Sequence, residues 1–180
     1  RIRLAQYLIP EDYLGLDGQL DMTALLADAH ATRDKYSSIE NINANALKFF
    51  VDGVLEGNPL ASPPTLPNAA MQHQFHQPRY QLDKTSGQVK LLGYVDPDSQ
   101  PCNDWRTAPV KDAKASKGFI DAHQFHPGQC QRSSGVMYSA VENAMSFMQG
   151  ADNAGFAVHF HAIGDLSVKT AIDAIASVTP

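Results

Sequence analysis

The chain has 180 residues, 43% of them hydrophobic and 18% charged, a composition that fits one ordinary globular domain with a sizeable core. A net charge of −5 argues against the basic footprint that phosphate binding needs, so no nucleic-acid partner is expected. No apolar run approaches the roughly 18 residues that a membrane helix needs, so no membrane partner is expected either.

Residues 1–9 read as a short strand ended by Pro10, whose missing N–H interrupts a ladder. Asp21 is placed to cap a helix with Met22, Leu25, Leu26 and Ala29 on one face, fading near Tyr36. Residues 46–51 form a second strand, closed by Asp52-Gly53. Residues 57–135 differ in character, being rich in Pro, Gln, Asn and Ser. Within them, residues 79–95 predict a β-hairpin turning at Thr85-Ser86-Gly87. The whole stretch reads as an inserted, lid-like excursion, because so long a loop needs its own substructure or a function. Met137, Val141, Ala144, Met145 and Met148 then follow the stripe of an amphipathic helix, ended by Gly150 or Gly155. Residues 156–160 predict a third strand, and Asp165 is expected to cap a last helix with Val168, Ala171, Ile172 and Ile175 on one face.

The order β-α-β, excursion, α-β-α points to an α/β fold with a parallel sheet. An open doubly wound sheet and a (β/α)8 barrel both fit. Three strands cannot close a barrel, which typically takes about 250 residues, so in the barrel case the chain holds only part of one. It also starts at Arg1 rather than Met and looks trimmed at both ends. Cys102 and Cys130 are too few for a disulfide framework and are not spaced as a zinc-binding pair. They read first as two unrelated thiols, with a single disulfide as the alternative. Cytoplasmic and exported locations both stay open.

Strand alternation sorts the polar residues. One face of the third strand carries Ala157, His159 and His161, and the other Phe156, Val158 and Phe160. In the second strand, Ala46, Lys48, Phe50 and Asp52 oppose Leu47, Phe49 and Val51. A lysine in mid-strand must pair with an acid, lose its proton or be modified, for example to an anionic, metal-binding carbamate. An ordinary ion pair, with Asp52 or Asp165, is the simplest of these. His159 and His161 can reach one metal together, or stand as hydrogen-bonded core histidines. Two H-x-x-H pairs, His73 with His76 and His123 with His126, lie in Pro/Gln-rich surroundings and read as surface or lid residues. No G-x-G-x-x-G and no P-loop pattern is present.

The stretch Gly155-Phe-Ala-Val-His-Phe-His-Ala-Ile-Gly-Asp165 resembles the fifth-strand motif of YtcJ-like amidohydrolases, relatives of N-substituted formamide deformylase. The stretch Leu47-Lys-Phe-Phe-Val-Asp-Gly-Val-Leu-Glu-Gly57 looks like the same family's fourth-strand motif. The resemblance covers residues 44–57 and 136–176 well and the excursion poorly. It implies that residues 1–180 are part of an amidohydrolase barrel, about strands three to five of a TIM-type (β/α)8 fold, with 57–135 inserted. It also implies a hydrolase of C–N bonds other than peptide bonds, acting on a small amide-type substrate with a divalent metal, usually zinc. Lys48, in its carboxylated form, and His161 map onto metal ligands. His159 and Asp165 rank second, His159 as an inner-face neighbour and Asp165 as a turn and capping residue. The remaining ligands would lie on strands outside this chain, so the 180 residues are expected to be inactive alone and to form an oligomer or a rearranged packing. The alternative is a non-catalytic α/β binding module with Lys48 in an ordinary ion pair.

Overall fold

The computed structural model describes residues 2–179. They form a mixed α/β structure with a three-stranded parallel sheet, a two-stranded antiparallel sheet and five α-helices among the described residues. The chain divides into two compact units, Arg1–Gly53 with Val136–Pro180, and Val54–Gly135.

In the first unit, β1 (Ile2–Tyr7), β2 (Ile42–Phe50) and β5 (Ala157–His161) make the parallel sheet, with β2 in the centre. Helix α1 (Met22–Ser37) lies between β1 and β2 in the chain, and α4 (Val141–Asn153) precedes β5. Asp21 caps α1 as expected, its carboxylate accepting from the backbone N–H groups of Thr23 and Ala24, each at 3.0 Å. The apolar face of β2 is fully buried: Leu47, Phe49 and Val51 pack with Leu25 and Ala29 of α1 and Ala144, Phe147 and Ala151 of α4. Phe156 joins them, with Val158 and Phe160 packed alongside.

Helix α4 ends at Gly155 rather than Gly150. Gly155 takes φ +72°, and the Phe156 N–H returns to the Ala151 carbonyl at 2.9 Å, which satisfies the last turn. Gly150 is instead a close-packing position, where a Cβ would meet Met22 at 2.6 Å. The buried stripe of α4 is also rotated from the expected one. It runs through Asn143, Ala144, Phe147 and Ala151, while Val141 is exposed and Met137 lies outside the helix. Asn143 is buried because its amide is satisfied, accepting from the Leu20 N–H and donating to the Gly18 carbonyl and Ser139 hydroxyl.

Helix α5 (Asp165–Ala176) corrects two expectations. Its buried side is the small one, Ser167, Thr170, Ala171 and Ala174, and of the expected stripe Val168, Ile172 and Ile175 face solvent. Asp165 is not its cap. Gly164 occupies that position without a side-chain bond, and Asp165 begins the first turn.

The Val54–Gly135 unit contains the expected hairpin, β3 (Gln77–Leu82) and β4 (Val89–Val95). The Asp83 carboxylate accepts from the Thr85 and Ser86 N–H groups, and Gly87 takes φ +70° to close the turn. Two helices not foreseen in this polar stretch follow, α2 (Gln100–Thr107) and α3 (Ala113–His123). They close a small core of Val95, Cys102, Phe119 and Cys130, with Trp105 and Phe125 against it. Cys102 and Cys130 form a disulfide, so the reading of two free thiols is corrected.

Candidate functional site

The first unit gathers its polar chemistry on the sheet face opposite the helices. Register places Tyr7 beside Lys48 across β1 and β2, and Lys48 beside His159 across β2 and β5. Two residues further along, Phe50 pairs with His161. Parallel strands point all these side chains to one side, so Tyr7, Lys48, Phe50, His159 and His161 share a face. Lys48 and His161 are diagonal neighbours, with a Cα separation of roughly 8 Å from a strand spacing of ~4.8 Å and a two-residue rise of ~6.6 Å. Both lie at the carboxyl-terminal ends of their strands.

Phe50 is the centre of this cluster. Its ring lies 4.9 Å from Tyr7 in an edge-on contact and 4.8 Å from the His161 ring. The Lys48 ammonium stands over the same ring at 4.9 Å. None of the ion pairs among the described residues involves Lys48, so the expected pairing with Asp52 or Asp165 is not formed. The half-buried lysine is held by an aromatic face instead. The Tyr7 hydroxyl is pushed above its ordinary pKa, first by burial and then by the nearby Glu11 and Tyr138.

His161 is oriented by the backbone. Its Nε2 lies 2.9 Å from the Gly53 carbonyl oxygen. A carbonyl can only accept, so Nε2 carries the hydrogen, and in the neutral ring the lone pair then lies on Nδ1. Histidines that ligate metals are commonly oriented in this way, donating the other ring N–H to an acceptor. His159 is exposed and makes up part of the wall of a concavity of about 540 Å³ on the sheet, with Ala46 and Ala157 among its neighbours.

Asp52 has a different role from the one its alternation with Lys48 suggested. Strand β2 ends at Phe50, and Asp52 is fully buried beyond it. Its carboxylate accepts from the Ile163 N–H at 3.1 Å, the Gly164 N–H at 2.8 Å and the Ser167 hydroxyl at 2.5 Å. It thereby fixes the turn after β5 and the start of α5, the work expected of Asp165.

The donor set of this face, imidazoles beside an amine able to become a carbamate, suits a divalent metal as part of a larger ligand set. Among the described residues, no group of three or more His, Cys, Asp or Glu side chains is placed to hold a metal. Of the other histidine pairs, His123 ends α3, and His126 is structural: its Nδ1 accepts from the Gly128 N–H at 2.9 Å, and burial lowers its pKa. Alternation alone places Phe50 on the Lys48 face, as expected from the sequence. It cannot place Tyr7, whose position depends on the register between two strands. No protein-family model, no curated protein and no solved structure matches this chain.

Proposed function

We propose that the chain is a section of a metal-dependent hydrolase that cleaves C–N bonds of amide type, and that its parallel sheet is about strands three to five of a (β/α)8 barrel. The observation that carries this reading is the pairing of Lys48, seated over the Phe50 ring and without an ion pair among the described residues, with a carbonyl-oriented His161, on one face at the carboxyl ends of adjacent parallel strands. Barrel enzymes place their chemistry at those ends. The motif resemblance around Lys48 and His161 points the same way. Lys48 and His161 would be the ligands this chain contributes, with the remaining donors supplied from outside it. His159 would line the substrate side of Lys48. Zinc is the first choice of metal, and such a site supplies acidified water and a polarised scissile carbonyl. Asp52 keeps the β5–α5 turn, and with it the His161 end of the strand, in place. The binding-module alternative assigned Lys48 an ordinary ion pair, and the lysine's seat over Phe50 counts against that form of it.

The test is zinc content and hydrolysis of N-substituted formamides by the complete protein and by its Lys48→Ala and His161→Ala variants. Each variant should lose most of its zinc and about a hundredfold or more of its activity, since even outer partners of such ligands cost 10–100-fold. A carbamate resonance on Lys48 after labelling with ¹³C-bicarbonate should disappear in Lys48→Ala. Variants that keep both metal and activity would overturn the reading. The 180 residues alone should neither hold stoichiometric zinc nor hydrolyse the substrate.

A further inference from the structure

The Val54–Gly135 unit gathers positive charge around one concavity of about 380 Å³, within the range of small-molecule sites. Arg106, Lys111 and Arg132 all line it, and none of the described residues lining it is acidic. Trp105 supplies an aromatic wall, held edge-on against Phe119 with ring centres 5.4 Å apart. This is a local excess of cations in a chain whose net charge is −5.

The fold fixes these cations without neutralising them. Arg106 stands in the last turn of α2, and its Nη1 donates to the Pro97 carbonyl at 2.6 Å and the Cys130 carbonyl at 3.1 Å, while Nη2 donates to the Asn103 side-chain oxygen. Those acceptors are neutral, so they orient the guanidinium and leave its charge in place. Lys111 turns back to the end of α2, its Nζ donating to the Arg106 carbonyl at 2.9 Å. Arg132 donates from Nε to Asp98 Oδ1 at 2.8 Å, and the same oxygen lies 3.9 Å from Arg106 Nη2. Among the described residues, Asp98 is the one carboxylate paired with any of the three cations. Two guanidiniums therefore share a single carboxylate beside an ammonium that has none. Like charges gathered in this way repel one another, and a bound anion relieves the repulsion. The groups are open to a ligand, since the side chains of Arg106 and Arg132 are 30% and 58% exposed and Lys111 is exposed.

We infer that this concavity binds a small aromatic anion, its charged head among Arg106, Lys111 and Arg132 and its ring against Trp105. The head accepts the hydrogen bonds that Lys111 and Arg132 can still give. An inorganic anion carries the charge but fills only a small part of the volume and leaves the indole uncovered. A neutral aromatic covers the indole but leaves the cations unpaired. The inference does not depend on the hydrolase reading and uses none of its residues.

Benzenesulfonate, sulfate and phenol titrated into the ¹⁵N-labelled 180-residue chain provide the test, because the chain's single tryptophan gives one indole N–H signal at the site. Benzenesulfonate should shift that signal in a saturable way, and sulfate and phenol should each bind at least about tenfold more weakly. Lys111→Gln and Arg132→Gln, both at exposed positions, should each weaken benzenesulfonate about fivefold and leave phenol unchanged. Raising the salt from low ionic strength to 0.5 M should weaken benzenesulfonate about tenfold and phenol not at all. The salt series needs no variant, so it decides the matter if a substitution disturbs the fold. The inference is overturned by shifts that do not saturate, by phenol binding as well as benzenesulfonate, or by an affinity that ignores both salt and the substitutions. Sulfate binding as tightly as benzenesulfonate would overturn the aromatic part by reducing the site to a plain anion site. Displacement of benzenesulfonate by a much lower concentration of hexaglutamate would also overturn it, by assigning the cations to an acidic protein segment.

Discussion

Asp52 shows how one buried carboxylate can hold the frame around a site. Three donors converge on it, the N–H groups of Ile163 and Gly164 and the Ser167 hydroxyl. Removing the carboxylate takes an acceptor from all three, and two of these donors, the Gly164 N–H and the Ser167 hydroxyl, are buried. Asp52→Ala should therefore cost roughly 3 kcal/mol of stability, since each buried unsatisfied group costs about 1–3 kcal/mol and partial rehydration recovers some of it. Ser167→Ala removes only one donor, and that hydroxyl also donates to the Gly164 carbonyl at 2.8 Å. Its cost should be nearer 1 kcal/mol. Urea unfolding followed by far-ultraviolet circular dichroism checks both, and equal losses would remove Asp52 from its place as the anchor. The same residue marks a limit of sequence reading. The pattern Gly164-Asp165 before an apolar stripe is a proper helix-start signal, and it located α5 correctly. The acceptor comes from the segment just after β2, more than a hundred residues earlier, and local sequence cannot reveal such a partner.

At the scale of elements, what was legible is what is local. The Asp21 cap, the Asp83–Gly87 turn and the alternation of β2 each depend on a few neighbouring residues. Periodicity also found the apolar stripe of α5, but not which side is buried. Close approach to α4 favours the smaller residues Ser167, Thr170, Ala171 and Ala174, and the larger aliphatic residues Val168, Ile172 and Ile175 are left outside. Helices α2 and α3 were hidden by polar composition, although Asp112 caps α3 by accepting from the Ala115 N–H at 2.8 Å. Their stability comes from tertiary contacts, above all the core around Phe119 and the Cys102–Cys130 bond, which spacing alone could not pair. That bond spans 28 residues of chain. Closing a loop of this length stabilises by about 3–4 kcal/mol on chain-entropy grounds. Cys102→Ser with Cys130→Ser should lower the unfolding midpoint of the Val54–Gly135 unit accordingly. Trp105, the chain's single tryptophan, lies against this core and reports it by fluorescence in denaturant. A midpoint unchanged by the double substitution would mean that the aromatic core holds the unit without the bond.

At the scale of the whole molecule, the first unit leaves unusual surfaces uncovered. Among the described residues, β1 and β5 each pair with the central β2 alone, so they are the two edges of the sheet. Ile2 on β1 is 59% exposed. On α5, Ile172 and Ile175 are 58% and 47% exposed, with Val168 one turn before them. Scattered exposed apolar residues are ordinary, but an aligned helical stripe together with open strand edges is a surface that draws partners. The 180-residue chain should therefore self-associate in the micromolar range, seen as a molar mass that rises with concentration in light scattering. Ile172→Lys with Ile175→Lys, placed on solvent-facing positions, should move the equilibrium toward monomer without loss of fold. The comparison with the complete protein carries the stronger consequence. If the sheet is a section of a barrel, flanking strands and helices cover these surfaces in the longer chain, and the same two substitutions there should destabilise the fold instead of dissolving an oligomer. A 180-residue chain that stays monomeric at every concentration, with the substitutions silent in both contexts, would mean that the stripe and the edges are stable as they stand, and the barrel reading would lose its structural motive.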